Sequence, residues 1–241
     1  MHDVLCDRIE PWEHGTLVVS SRFPTFWDLN ALRVERAAVG LTAEALAADA
    51  DRLQAGLEHR KIEMEDEATG AAVAEGFRAL GWHVERLAVM LHDGREAVAS
   101  PRVREVEPVE VDALRRGWLR EEGMDPDHAA TEDVAGALRP GEIVMLAARD
   151  AAGEPAAYAA LRIAGADAEV EDVYVTPSQR GRGLATALVA TAVARARAAG
   201  VRDLWIMADD EDFAKGIYAR QGFETVWVRY DAVRRPPGQP G

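Results

Sequence analysis

Residues 176–186 read TPSQRGRGLAT, and two arginines alternate with two glycines at Arg180, Gly181, Arg182 and Gly183. The run before it is strand-like and the run after it is helix-like. A helix that begins here leaves its first amides without intrahelical acceptors, and its dipole favours negative charge at that end. Glycine removes the Cβ atoms that would keep a ligand from the main chain. This arrangement suits phosphate. From Gln179 to Arg202 the charged residues are Arg180, Arg182, Arg195, Arg197 and Arg202, with no acid among them, in a chain of net charge −14. That local reversal points to an anionic ligand, although a tight turn with solvated arginines would use the same residues.

Two phosphate-loop patterns fit poorly. The run G-x-x-x-x-G-K-[ST] does not occur. A dinucleotide fingerprint sets its glycines directly after the strand, whereas here TPSQR intervenes and Thr186 stands where the third small residue belongs. A nucleotide-binding domain is therefore a minor alternative.

The elements that position this loop follow from residue 102 onward. RVREVEP reads as a strand, and VEVDALRRGWLREEG as a helix with Val109, Leu114, Trp118 and Leu119 at helical spacing. HAATEDVAGAL is a second helical piece, and EIVMLAARD and AAYAALRIA form a hairpin across a Gly/Pro turn. AEVEDVYV is the next strand. A regular pleat puts Glu169, Glu171, Val173 and Val175 on one face, and Val170, Asp172 and Tyr174 on the other. After the helix that begins near Gly183 come the strand RDLWIMA, a helix capped by Asp209 or Asp210 and ended by Gly222, and the strand FETVWVRY.

RGRGLA resembles the R-x-x-G-x-[GA] acetyl-coenzyme A signature of the GCN5-related N-acetyltransferase (GNAT) superfamily, and DFAKGIYARQGF resembles that family's later helix. The likeness spans about residues 102–232. It implies an α/β protein of GNAT fold, with flanking helices on a mixed, mostly antiparallel sheet. The asparagine that often precedes the tyrosine helix is replaced by Glu211 and its acidic neighbours. The strand that ends the family's sheet is not evident after Tyr230, and the first half is a segment able to supply it.

The resemblance implies an acyltransferase that moves acetyl from acetyl-coenzyme A to a primary amine by direct attack in a ternary complex. It assigns the diphosphate to the amides of Arg180, Gly181, Arg182, Gly183, Leu184 and Ala185, with Thr186 assisting. The pantetheine arm goes to the segment Val173, Tyr174 and Val175, chiefly through the main chain of the two valines. Tyr218 is the candidate general acid, because a phenol with a reference pKa of about 10 stays protonated at neutral pH. Glu169 and Glu171 are the candidate bases. The rival function is a coenzyme A-binding sensor or scaffold without turnover.

The first half carries a fainter echo. EGFRALGWHVERLAVML aligns with GIYARQGFETVWVRYDA, matching Phe77 to Tyr218, Gly81 to Gly222 and Trp82 to Phe223. KIEMEDE and LTAEALAADADRLQAGL align with LWIMADDE and the helix at 183–199, but RAAVGLTA stands where the second half has the arginine–glycine loop. The expected organisation is a degenerate GNAT-like domain at 1–98 without a cofactor loop, an active domain at 102–232, and an unstructured Pro/Gly tail at 233–241.

Composition bounds the rest. With 42 acidic against 28 basic residues, a general nucleic-acid binder is not expected, and a cationic small-molecule amine is favoured as acceptor. The charged start reads as no signal peptide, and no run is long enough to span a membrane. One cysteine, Cys6, excludes an internal disulfide, so a reduced cytoplasmic setting is expected. His2, His14, His59, His83, His92 and His128 are scattered, so no metal is expected. A homodimer is compatible with the sequence.

Overall fold

The computed structural model describes residues 5–37, 40–124 and 126–236. His2 and the tail residues 237–241 lie outside the described residues. Packing divides the chain into two compact units. The first comprises residues 1–87, 130–139 and 228–241, and the second comprises 88–129 and 140–227. The spans expected from sequence, 1–98 and 102–232, therefore interleave, because each unit takes a strand end from the other half of the chain.

The first unit contains β1 (Arg8–Trp12), β2 (Gly15–Val19), β3 (Ala31–Val34), α1 (Ala43–Leu53), β4 (Arg60–Met64), α2 (Glu67–Ala79) and the start of β5 (His83–His92). Its sheet order is β1-β2-β3-β4-β11-β5, where β11 (Phe223–Arg234) enters through its last seven residues. Strand β3 runs parallel to β4, and β11 runs antiparallel to β4 with Tyr230 opposite Met64 and Arg234 opposite Arg60. Alternation divides the faces. Leu32, Val34, Ile62, Met64, Tyr230 and Ala232 form one core with Leu46 and Ala50 of α1 and Val73 and Phe77 of α2. Thr42 caps α1 by accepting from the Ala45 amide, and Asp66 caps α2 through Thr69.

The opposite face is charged, and part of it is buried. Lys61 donates to Asp231 at 3.0 Å, lies 3.4 Å from Glu63 and also pairs with Asp28. Arg33 pairs with Glu63 at 3.1 Å and Arg229 with Asp231 at 3.1 Å. Burial pulls the Lys61 pKa down, but Asp231, Asp28 and Glu63 outweigh it and raise the value. Glu63 and Asp231 stand directly opposite each other on neighbouring strands, and like charges there repel. The cations beside them hold this register. A one-residue slip would turn the charges into the apolar face.

The second unit holds the rest of β5, β6 (Val103–Val106), α3 (Pro108–Glu121), β7 (Glu142–Arg149), β8 (Pro155–Ala164), β9 (Asp167–Val175), α5 (Leu184–Ala198), β10 (Asp203–Asp209), α6 (Phe213–Arg220) and the start of β11. Helix α4 (His128–Leu138) begins there, and its residues from Ala130 onward belong to the first unit. The sheet order is β11-β5-β10-β9-β8-β7-β6. Residues 88–92 of β5 thus fill the place for which no strand is evident after Tyr230, and Asp93 N–H donates to the Gly222 carbonyl at 2.8 Å. Helix α5 packs Leu184, Leu188, Ala192 and Ala196 onto Leu161, Ala168 and Val170.

Local differences from the sequence reading have local causes. A capping box at Glu107 and Glu110 sets the phase of α3, so Val111, Arg115 and Leu119 are buried while Val109 is 79% exposed. Asp212 rather than Asp209 or Asp210 caps α6, since Asp209 closes a preceding turn through Glu211. Strand β11 continues through Val233 and Arg234, into the expected tail, because β4 supplies partners that far.

Seating of β11 in the first unit leaves no room above Gly70, where an added Cβ would lie 2.7 Å from the Tyr230 ring carbon Cγ. Alanine in a helix interior normally stabilises relative to glycine. Here Gly70→Ala is expected to destabilise by roughly 1–3 kcal/mol through overpacking. Chemical denaturation checks this, and a variant as stable as the parent would show that Tyr230 is not held against α2.

Candidate active site

Strands β9 and β10 pair in parallel over only four positions, from Asp167 opposite Asp203 to Val170 opposite Ile206. Among the described residues, the end of β9 at Val173–Val175 has β8 on one side and lies beyond the ladder with β10. Tyr158 faces Tyr174 and Ala160 faces Glu171, so β9 spends three steps where β8 spends two. The extra residue is a β-bulge, and Asp172 carries it with a φ of +55°, in the left-handed region that few non-glycine residues adopt.

The bulge corrects the expected faces of β9. One inserted residue reverses the side-chain parity beyond it. Ala168 and Val170 before the bulge, and Val173 and Val175 after it, lie on the α5 side in one apolar cluster. Tyr174 packs on the other side with Val111, Tyr158 and Ala160. Glu169 and Glu171 share that face, opposite Arg162 and Ala160, so they do not share a face with Val173 and Val175 as a regular strand requires. Glu171 accepts from Arg162 at 3.4 Å.

A 3-10 turn at Pro177–Gln179 carries the chain to the loop. Gly181 and Gly183 have φ of +75° and +76°, and an added Cβ at either would meet nothing within 4 Å. Conformation rather than crowding therefore requires these glycines, and the space above them is open. Ala187 N–H donates to the Gly183 carbonyl and begins the regular ladder of α5. Among the described residues the amides of Gly181, Arg182, Gly183, Leu184, Ala185 and Thr186 have no backbone acceptor. Gly183 occupies the N-cap position and contributes no side-chain oxygen. This row of free donors at a helix N-terminus fits a diphosphate. Leu184 is buried, so it offers its amide alone.

Arg180 donates through Nε to the Val175 carbonyl at 3.1 Å and through Nη2 to Glu121 at 3.4 Å. Glu121 also accepts from the Tyr174 hydroxyl at 2.7 Å. Arg102 donates to the carbonyl of Arg182 at 3.0 Å and adds a third cation beside the loop. Neither Glu121 nor Arg102 is visible as a site residue in the sequence. They lie 59 and 80 residues from their loop partners, and no motif marks them.

Tyr218 projects from α6 into the same cluster as Val173 and Val175, beside Phe223 with ring centroids 6.5 Å apart. Its burial, with a smaller contribution from Asp212, pushes its pKa up to about 12. Burial and then the Glu121 hydrogen bond push Tyr174 up to about 12 as well. The loop follows β9, and Tyr218 packs in the same cluster as Val173, Val175 and Leu184, while Glu169 and Glu171 lie on the other face of the strand. Among the described residues, one cluster of three carboxylates has metal-ligand spacing, namely Asp28, Glu63 and Asp231, and the Lys61 ammonium pairs with all three. No described helix is long and apolar enough to cross a membrane.

Residues 108–223 match the family model described as acetyltransferase (GNAT) family. The fold is similar to that of a functionally unknown conserved protein from Staphylococcus epidermidis, with a TM-score of 0.69, 15% identity, and coverage of 97% of this chain and 95% of that one. A tandem GNAT protein from the clavulanic acid biosynthesis pathway matches with a TM-score of 0.56 and 18% identity, over 87% of this chain and 75% of its own. No curated protein matches the chain. At such identities the structural likeness concerns the fold alone, and the family rests on the matched segment together with its loop geometry. Residues 108–223 belong to the acetyltransferase (GNAT) family, in a chain built of two GNAT-like units.

Proposed function

We propose that the second unit transfers acetyl from acetyl-coenzyme A to the primary amine of a small molecule, by direct attack in a ternary complex. The observation that carries this reading is the row of amides from Gly181 to Thr186 without a backbone acceptor, shortly after the stretch Val173–Val175, which lies beyond the β9–β10 ladder. The amides hold the diphosphate, with Arg180 and Arg182 supplying positive charge. The main chain of Val173 and Val175 receives the pantetheine arm, and an amide of that segment stabilises charge on the thioester oxygen as the amine attacks. The donor supplies an activated acyl carbon, and the protein supplies orientation and proton transfer.

Tyr218 is the acid for the departing thiolate. A phenol held near 12 remains protonated across the physiological range and has a proton to give. Glu169 or Glu171 takes the proton of the amine, directly or through water. The reversal of parity at Asp172 puts both carboxylates on the α3 face of the sheet, so the amine approaches from that side. A solute of positive charge suits the acidic chain, and a cytoplasmic setting suits its single cysteine, Cys6.

The first unit has the same order of strand, helix, parallel strand and helix, with different residues at the positions of the loop and the tyrosine. The ladder of β3 with β4 holds to the last residue of β3, Val34, whose carbonyl accepts from Glu65 N–H at 2.9 Å. Thr42 caps α1 where Gly183 leaves α5 open, and Phe77 stands where Tyr218 would be. We assign no donor site to this unit.

Calorimetry with coenzyme A is expected to show one site per chain. Free thiol release on adding an amine panel with acetyl-coenzyme A, together with the mass of the product, tests turnover. Binding without thiol release would select the sensor reading. Tyr218→Phe is expected to keep coenzyme A affinity within about twofold and lose roughly 10²–10⁴ in turnover; unchanged turnover would remove Tyr218 from the acid role.

The raised phenol pKa also makes a stability prediction. Unfolded tyrosine ionises near 10, so between about pH 10 and 12 the unfolded chain has released a proton that native Tyr218 retains. Its contribution to stability is complete below pH 10 and is lost as pH rises through 12. Denaturation at several alkaline pH values should show a shallower decline for Tyr218→Phe than for the parent, by up to about 1.4 kcal/mol per pH unit.

A further inference from the structure

Arg180 meets two groups of its own chain at the place where the loop begins. Its Nε donates to the Val175 carbonyl at 3.1 Å, and its Nη2 reaches Glu121 at 3.4 Å. The carboxylate is itself fixed, because its other oxygen accepts from Tyr174 at 2.7 Å. The Tyr174 ring is held in turn between Trp118 and Tyr158, at centroid distances of 6.5 and 5.9 Å. One carboxylate at the last residue of α3 therefore ties together a helix, the bulged strand and the first arginine of the loop.

This arrangement has a cost for any diphosphate that enters. The Arg180 guanidinium, at the start of the loop, is already committed to Glu121 and to the carbonyl of Val175, the last residue of β9. The pair is about half exposed, at 53% for Arg180 and 40% for Glu121, so it is weak enough for an incoming anion to open. Tyr174 keeps the carboxylate in place when Arg180 leaves, so the contact can close again once the anion departs.

Resting on the donor assignment above, we propose that Glu121 and Arg180 form a latch at the donor site. Coenzyme A must draw the Arg180 guanidinium away from the Glu121 carboxylate and the Val175 carbonyl. Glu121 is thus a positioning residue that sets donor affinity through Arg180 and touches no reacting atom.

Calorimetric titration with coenzyme A tests this on the full chain as wild type, Glu121→Gln, Arg180→Gln and the double variant. Glutamine keeps an oxygen for Tyr174 but removes the negative charge that holds Arg180, so E121Q should bind coenzyme A about two- to fivefold more tightly, the range spanned by an exposed ion pair. In the Arg180→Gln background the same change should have no effect. Glu121→Asp keeps the charge but withdraws it by one methylene, and it should tighten binding as well; it also serves if E121Q folds poorly. Tightening that persists without Arg180 would mean plain repulsion between carboxylate and diphosphate, and would overturn the latch. Weaker binding by E121Q, accompanied by a fall in Tm, would make Glu121 a fold strut and overturn it too. Absence of heat with the wild type would sink the donor assignment and the latch together, whereas wild-type binding with an additive cycle would sink the latch alone.

Discussion

The second unit is organised around the parting of two parallel strands. After Val170 and Ile206 the ladder between β9 and β10 ends, although both strands continue. A backbone edge released inside a sheet needs other partners, because unpaired amides and carbonyls away from water are costly. Here the edge runs directly into a loop whose own amides are free. The strand leads through the Pro177–Gln179 turn to the helix N-terminus, and Val173, Val175 and Tyr218 pack in one apolar cluster. The bulge at Asp172 is part of the same device, since it lets one short strand send carboxylates to one face and valines to the other.

Comparison of the two units separates frame from function. Both have a strand, a helix, a parallel strand, a helix and a further long strand, and the aromatic pair Phe77–Trp82 recurs as Tyr218–Phe223. The frame needs only the apolar stripes that seat helices on sheets. In the first unit the counterparts differ: the Val34 carbonyl accepts from Glu65 N–H, Thr42 caps the helix with its hydroxyl, and Phe77 has no phenol. Its other sheet face has become a compensated set of charges around Lys61, which fixes strand register at the expense of desolvating several ions.

Much of this was legible in the residues. The glycine–arginine loop, the tyrosine helix and the β7–β8 hairpin announce themselves through turn chemistry and period, which are local properties. The echo in the first half is legible because helical and strand spacing survive even when the loop between them does not. The bulge was hidden: Asp172 is neither glycine nor asparagine, and the alternation through AEVEDVYV looks regular. Glu121 was hidden for a different reason, since its partners are long-range and nothing in a helix-ending glutamate distinguishes it from a solvated one. Val109 misled because the capping box, rather than hydrophobicity alone, sets the phase of α3.

The exchanged strand ends bear on how the chain is made. Residues 1–87 leave the ribosome well before residues 228–234, yet β11 stands between β4 and β5 in the first unit. Throughout elongation β4 therefore has an open edge where its antiparallel neighbour belongs, and such edges recruit foreign strands. The first unit can close only after residues 228–234 have been made, so the nascent polypeptide passes through a period in which that gap is open.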